Sequence, residues 1–518
     1  MSNASALFRS LIVYGLCLPL AVCLGYLLAT PLDLTTMTVV GIILFILMVP
    51  LFLRWHHAWL IATWNMSAVL FFLPGRPSVW MAMVAISFSI GVLQYAINRN
   101  VKFLHVPSVT RPLLFLSIVV LITMRLNGGI GLKTFGGSSY GGKNYIEIFA
   151  AIIGYFALTS RQIPPNRVGL YVSLFFLGVA TMAIGDLPLV LPQSFNFLYL
   201  VFPLLQTGAL AQQGVSVAGP VGGATRVTGL GFLGLALFAV MLARYGVRGV
   251  FLEPAKSWRA IVFVLILFIG LLGGFRSVVI VFVMTLAVLF FLERLYQTRL
   301  LLILAIATIL GGALIAAFAN RLPFAVQRSI AFLPVNIDPV ARMSAAATTD
   351  WRLQMWREVL PEVPRYLILG KGYAFSGQEM AFIQSDPRRA GSGLESTILA
   401  GDYHNGGLSV IIPFGIFGLL GFLWFLWAGL RVTYQNLQFG DPANRCANTY
   451  LFAAFFVKTI FFFTIFGGLS SDLLMFTGLV GLSVSLNGGV AKPAVVPQPK
   501  VVFNRFRLHP SVRRPLSV

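Results

Sequence analysis

His404 stands in Asp402-Tyr403-His404-Asn405-Gly406-Gly407, where a polar stretch gives way to a long apolar one. That junction reads as a helix start. A helix N-terminus opposes positive charge, so an imidazole there is expected to stay neutral and able to accept a proton. Asn405 beside it can hold a hydroxyl or the imidazole, and Asp402 can orient the ring. Arg276, in Gly273-Gly274-Phe275-Arg276-Ser277, opens another apolar run. A guanidinium together with the free N–H groups of a helix start suits an anion such as phosphate. Arg226, before Val227-Thr228-Gly229, repeats the arrangement, and Arg352 adds a third cation. Plainer roles compete with these. The arginines can snorkel to lipid headgroups, His404 can hydrogen-bond its own loop, and Asp402 can cap the helix.

The elements that carry these residues follow from composition. Of 518 residues, 58% are hydrophobic and 10% charged, with a mean hydropathy of +0.88. Soluble domains carry about 25% charged residues, so the chain is an all-α, polytopic membrane helix bundle. Its net charge is +22. In a membrane chain that excess points to anionic lipid or substrate and to the positive-inside rule, with no nucleic-acid partner. Three cysteines without a CxxC pair exclude a disulfide framework and a zinc site.

A span needs about 20 apolar residues. Fourteen candidate segments run from 11–29 to 472–487, and they include 35–53 and 58–73 as separate spans. Segments 258–274 and 276–293 are joined by a tight turn at Gly273-Gly274. Fourteen helices are therefore expected from the segments, and the family resemblance given below lowers this to between twelve and fourteen. With the N-terminus in the cytoplasm, 21 Lys and Arg fall on the inner side and six in the short outer loops. The long loop carries nine more and does not vote. Both termini are then inside. Residues 1–318 hold helices 1–11, 319–403 form a large periplasmic loop region, 404–487 hold helices 12–14, and 488–518 form a basic, Pro-rich, disordered cytoplasmic tail.

Within the long loop, Asp350 to Leu360 predicts a helix capped by Asp350 and ended by Pro361, with Leu353, Trp356 and Leu360 on one face. Trp351 and Trp356 suit a helix resting on the membrane surface. Lys458 is an intramembrane cation whose partner the sequence does not reveal, and Asp472 is a candidate cap. His56 and His57 are expected at cytoplasmic headgroups. Two nucleotide motifs fail. Gly137 to Lys143 spells GxxxxGK, but Asn144 follows where Ser or Thr is needed. Gly229, Gly231 and Gly234 spell GxGxxG, but they open a membrane helix, where close helix packing is the better reading. No acidic pair of the DxD kind occurs, so no metal and no cofactor is expected.

The stretch His404-Asn405-Gly406-Gly407-Leu408, followed by Phe414-Gly415-Ile416-Phe417-Gly418-Leu419-Leu420-Gly421, resembles the signature of the O-antigen ligase and polymerase superfamily. Three further elements resemble that family in the same order. They are Arg226-Val227-Thr228-Gly229, Gly274-Phe275-Arg276-Ser277, and Asp350-Trp351-Arg352 through Trp356 with Leu369-Gly370-Lys371-Gly372. Phe275 stands where the family has a small residue.

The resemblance implies a bacterial inner-membrane glycosyltransferase of the GT-C type, metal-independent and inverting. It implies a glycan donor linked to undecaprenyl diphosphate and a sugar acceptor, a lipid A-core sugar for a ligase or another repeat unit for a polymerase. It makes His404 the base and the arginines the diphosphate site, facing the periplasm. The polymerase is the rival within the class. A transporter or flippase is the rival outside it, and would need interrupted helices and a charged midplane path.

Overall fold

The computed structural model describes residues 14–15, 18–27, 29, 34–98, 103–128, 130, 139–189, 191–203, 227–385 and 394–493. The apolar runs fold as helices because hydrocarbon offers backbone N–H and C=O groups no water, so each must be met within its own segment. In chain order the helices that matter here are α1 Leu34–Thr63, α2 Val79–Ile97, α3 Pro107–Leu126, α4 Gly142–Leu158, α5 Val168–Leu177, α6 Thr228–Phe251, α7 Trp258–Leu272, α8 Arg276–Leu292 and α9 Leu300–Phe318. They continue with α10 Phe324–Ser329, α11 Pro339–Val359, α12 Leu394–Leu399, α13 Gly406–Phe439, α14 Arg445–Thr464 and α15 Leu469–Asn487. Among the described residues, eight helices are long and apolar enough to span a bilayer, and nine if a bent pair counts as one. The chain is a multi-pass membrane protein. Its only paired strands among the described residues are β1 Ser139–Tyr140 and β2 Phe375–Ser376, antiparallel, with Tyr140 and Phe375 stacked.

Some expected segments are redrawn. Residues 58–73 are not a separate span. Helix α1 instead bends by 113° between Val39–Met48 and Leu53–Thr63, and Trp55 leaves helical geometry. The chain then turns after Thr63, and Val69 bridges Ser78. His56 and His57 do not face headgroups; both are buried, with His56 Nδ1 2.8 Å from Ser87 Oγ and His57 Nε2 2.8 Å from Leu158 O. The turn at Gly273-Gly274 is present, with Gly274 at φ +71°. The GxGxxG glycines are packing glycines: a Cβ on Gly234 would overlap Gly270 Cα on α7. The tail after residue 493 and half of the Gly-rich stretch 126–143 lie outside the described residues.

The part of the fold that positions the site is a break in α13. Pro413 lies inside that helix, and Gly415 departs from it at φ +64°, ψ −165°. The break frees backbone groups that the turn at 367–372 then takes up. Lys371 N donates to Ile412 O at 2.7 Å, Gly372 N to Pro413 O at 2.9 Å, and Ile416 N to Leu367 O at 2.6 Å. Two stretches far apart in sequence, 367–372 and 412–416, are thereby locked together. Gly370 sits at φ +73°, where a Cβ would overlap Pro413 O. Gly370→Ala is expected to cost at least about 1–3 kcal/mol from backbone strain alone. A thermal melt of the detergent-purified variant that matches the parent would contradict this.

Candidate active site

Helix α11 begins well before the expected Asp350. Asp338 caps it, accepting from Val340 N at 2.8 Å, and Pro339 occupies the first turn. The Asp-Pro pair is a start signal in its own right. The run that follows, Ser344-Ala345-Ala346-Ala347-Thr348-Thr349, carries no apolar stripe to reveal the helix. Its buried face is Ala341, Ala345, Met355 and Val359; Leu353 and Leu360 are exposed. The tryptophans turn inward. Trp356 Nε1 donates to Tyr403 O at 3.0 Å, which fixes the loop just before His404. Trp351 meets the His404 ring edge-on at 5.2 Å.

His404 is held at φ +50°. Such a conformation costs a non-glycine residue about 1–3 kcal/mol and is found where function overrides it. Its N–H donates to Asp402 Oδ1 at 3.3 Å, and its Nε2 lies 3.6 Å from Asp402 Oδ2. Phe466 packs edge-on to the ring at 4.8 Å. Nδ1 is buried with no hydrogen-bond partner among the described residues. Burial first, and Arg352 in addition, lower the imidazole pKa below its ordinary value, against the opposing pull of Asp402. A neutral ring is the expected outcome of the sequence reading as well, but burial is the leading cause. Asp402→Asn removes the group that raises the pKa. The acid limb of the activity profile is expected to move to lower pH, and a limb moved upward would contradict this.

Asp402 does not cap α13. Asn405 does, its Oδ1 accepting from Leu408 N at 3.1 Å. That leaves the Asn405 amide hydrogens for a ligand, with no bond to the imidazole. Asp472 is not at the cap position of α15. It accepts from Gly468 N at 3.0 Å and pairs with Lys458 Nζ at 2.6 Å, so the partner of Lys458 is found.

Arg276 opens α8 and binds α11. Its Nη2 donates to Ala345 O at 2.9 Å and Thr349 Oγ1 at 3.0 Å, with Thr348 Oγ1 at 3.4 Å. Arg352, on α11, lies with its guanidinium carbon 5.7 Å from the Phe466 ring centre. Burial first and Arg276 second lower its pKa, while Asp402 raises it. Arg226 lies outside the described residues.

Arg328, on α10, is the residue that sequence reasoning missed. Burial first and then Arg276 lower its pKa too. Nothing in Phe324-Ala325-Val326-Gln327-Arg328-Ser329 marks it except its place among the long loop's basic residues. Its neighbours fix its place: Ser329 Oγ donates to Leu271 O at 3.2 Å, and Gln327 Oε1 accepts from Asp338 N at 2.7 Å. Among the described residues, none of Arg276, Arg328 and Arg352 has a carboxylate partner in an ion pair. Partly buried guanidinium groups without carboxylate partners, with Arg276 acting on the other two, can attract an anion.

No curated protein matches the chain. The family model described as O-antigen ligase matches residues 261–423, the stretch that holds Arg276, Arg328, Arg352, Asp402, His404 and the break in α13. The match over that segment supports membership of the O-antigen ligase superfamily of membrane enzymes.

Proposed function

We propose that the protein moves a glycan from undecaprenyl diphosphate to an acceptor sugar at the periplasmic face of the bacterial inner membrane. The observation that carries this reading is a strained His404 acted on by Arg352, with Arg276 acting on both Arg352 and Arg328, three arginines that lack carboxylate partners among the described residues. The acceptor hydroxyl gives its proton to His404 as its oxygen bonds to the anomeric carbon. Asp402, 3.6 Å from Nε2, is placed to steady the imidazolium that forms. The bond from the anomeric carbon to the diphosphate breaks, and charge builds on the leaving group. Arg276, Arg352 and Arg328 stabilise it, and Arg226 joins them if its loop reaches the site. Attack opposite the leaving group inverts the anomeric centre, and these residues supply both base and countercharge without a metal or cofactor. Asn405 Nδ2 holds a sugar oxygen.

Glycan analysis of a deletion strain tests the reading. Loss of glycan from lipid A-core with accumulation of lipid-linked polymer identifies a ligase. Single repeats on the core identify a polymerase. Unchanged surface glycans reject both. The orientation of the chain after residue 78, where the expected spans do not depend on 58–73, rests on 19 inner against five outer basic residues. A reporter at the C-terminus is expected to be cytoplasmic and one inserted near residue 385 periplasmic; either reversed placement overturns the topology.

A further inference from the structure

We propose that Phe466, with the Lys458–Asp472 ion pair behind it, is a positioning residue that holds both His404 and Arg352. The inference rests on the proposed function for the meaning of those two groups, but its geometry stands apart. Phe466 lies in the turn between α14 and α15. One ring meets the His404 imidazole edge-on at 4.8 Å and lies 5.7 Å from the Arg352 guanidinium carbon. A single side chain therefore touches the proposed base and one of the proposed anion ligands.

The turn is fixed from both sides. Ile465 N and Phe466 N both donate to Phe461 O, at 2.9 and 3.0 Å, which ends α14. Asp472 Oδ2 accepts from Gly468 N at 3.0 Å, which fixes the start of α15. Asp472 Oδ1 is held in turn by Lys458 Nζ at 2.6 Å. Lys458 on α14 thus ties to Asp472 in the first turn of α15, bridging the two helices that flank the turn. Gly467 lies so close to α13 that a Cβ would sit 2.8 Å from Gly406 Cα. The turn is pressed against the helix start that follows His404 and Asn405. An ion pair at this depth, with side chains 22% and 13% exposed, has few water molecules to compete with it. Its function is to keep a carboxylate aimed at one backbone N–H, and so to keep the Phe466 ring in place.

The test reads His404 directly. Diethyl pyrocarbonate acylates neutral imidazole, so the pH dependence of modification of the His404 peptide, followed by mass spectrometry, gives its titration midpoint. Asp402 from its own loop and Arg352 from α11 are the charged groups that act on that midpoint. Phe466→Leu uncovers one side of the ring. The midpoint is expected to rise toward 6.5, modification to accelerate, and kcat/KM to fall by up to about 10²-fold, the cost of a small misplacement. Lys458→Met is expected to move the midpoint in the same direction, and Lys458→Arg to keep it at the parent value. If Lys458→Met does not accumulate, Asp472→Asn is read in its place. An unmoved midpoint and unchanged modification rate in Phe466→Leu overturn the proposal. A shift in Phe466→Leu but none in the ion-pair variant overturns the role of the pair. If the parent protein transfers no glycan while the midpoints move, the functional reading fails and the positioning stands. If transfer proceeds and the midpoints do not move, the positioning fails alone.

Discussion

His404→Ala is expected to lose about 10²–10⁴-fold of the glycan-transfer rate, the usual share of a general base. The motive is its setting: a left-handed backbone, a buried Nδ1 with no partner among the described residues, and Asp402 beside Nε2. Donor affinity should survive, because the diphosphate is assigned to the arginines. The pH profile should carry the same signature. A base works only when deprotonated, and the pKa of His404 is lowered by burial. The acid limb of parent activity should therefore lie below the ordinary imidazole value of 6.5. Turnover of the variant near the parent level would sink the assignment. So would loss of donor binding with intact chemistry at saturation, which would move His404 into the donor site.

Arg276→Ala is expected to weaken donor binding by roughly 10–100-fold, the equivalent of about 1.5–3 kcal/mol for a hydrogen bond to a charged group. Arg276→Lys should also be impaired, since lysine keeps the charge and loses the fork. The structure gives Arg276 a second task, because Nη2 ties α8 to Ala345 and Thr349 of α11. Binding of the lipid-linked donor and thermal stability therefore have to be measured on the same preparation. Full donor affinity and full transfer in Arg276→Ala would reduce the residue to that tie, with stability alone affected.

The class of fold was legible because a charge content of 10% permits no other. The positions of His404 and Arg276 at helix starts were legible because apolar runs begin there abruptly. Other features were hidden by their nature. The bend in α1 joins two apolar runs across Arg54-Trp55-His56-His57, a polar interruption that reads in sequence as a loop between separate spans. The start of α11 is rich in Ala and Thr, and its buried face uses Ala341 and Ala345, which hydropathy barely registers. The Lys458–Asp472 pair joins residues on successive helices, and only packing reveals that both reach the same turn. Arg328 became visible only when Ser329 and Gln327 fixed α10 beside Arg276. The roles of Asp402 and Asn405 were exchanged at the cap for a local reason. The left-handed turn at His404 puts Asn405, not Asp402, in reach of Leu408 N.

The central claim is tested most directly with purified protein, a radiolabelled glycan on undecaprenyl diphosphate, and a sugar acceptor, with no nucleotide present. The account predicts one undecaprenyl diphosphate released per glycan transferred, inversion at the anomeric carbon, and loss of both products in His404→Ala. Release of the lipid diphosphate with no glycan on any acceptor sugar, or transfer with retained anomeric configuration, would contradict it.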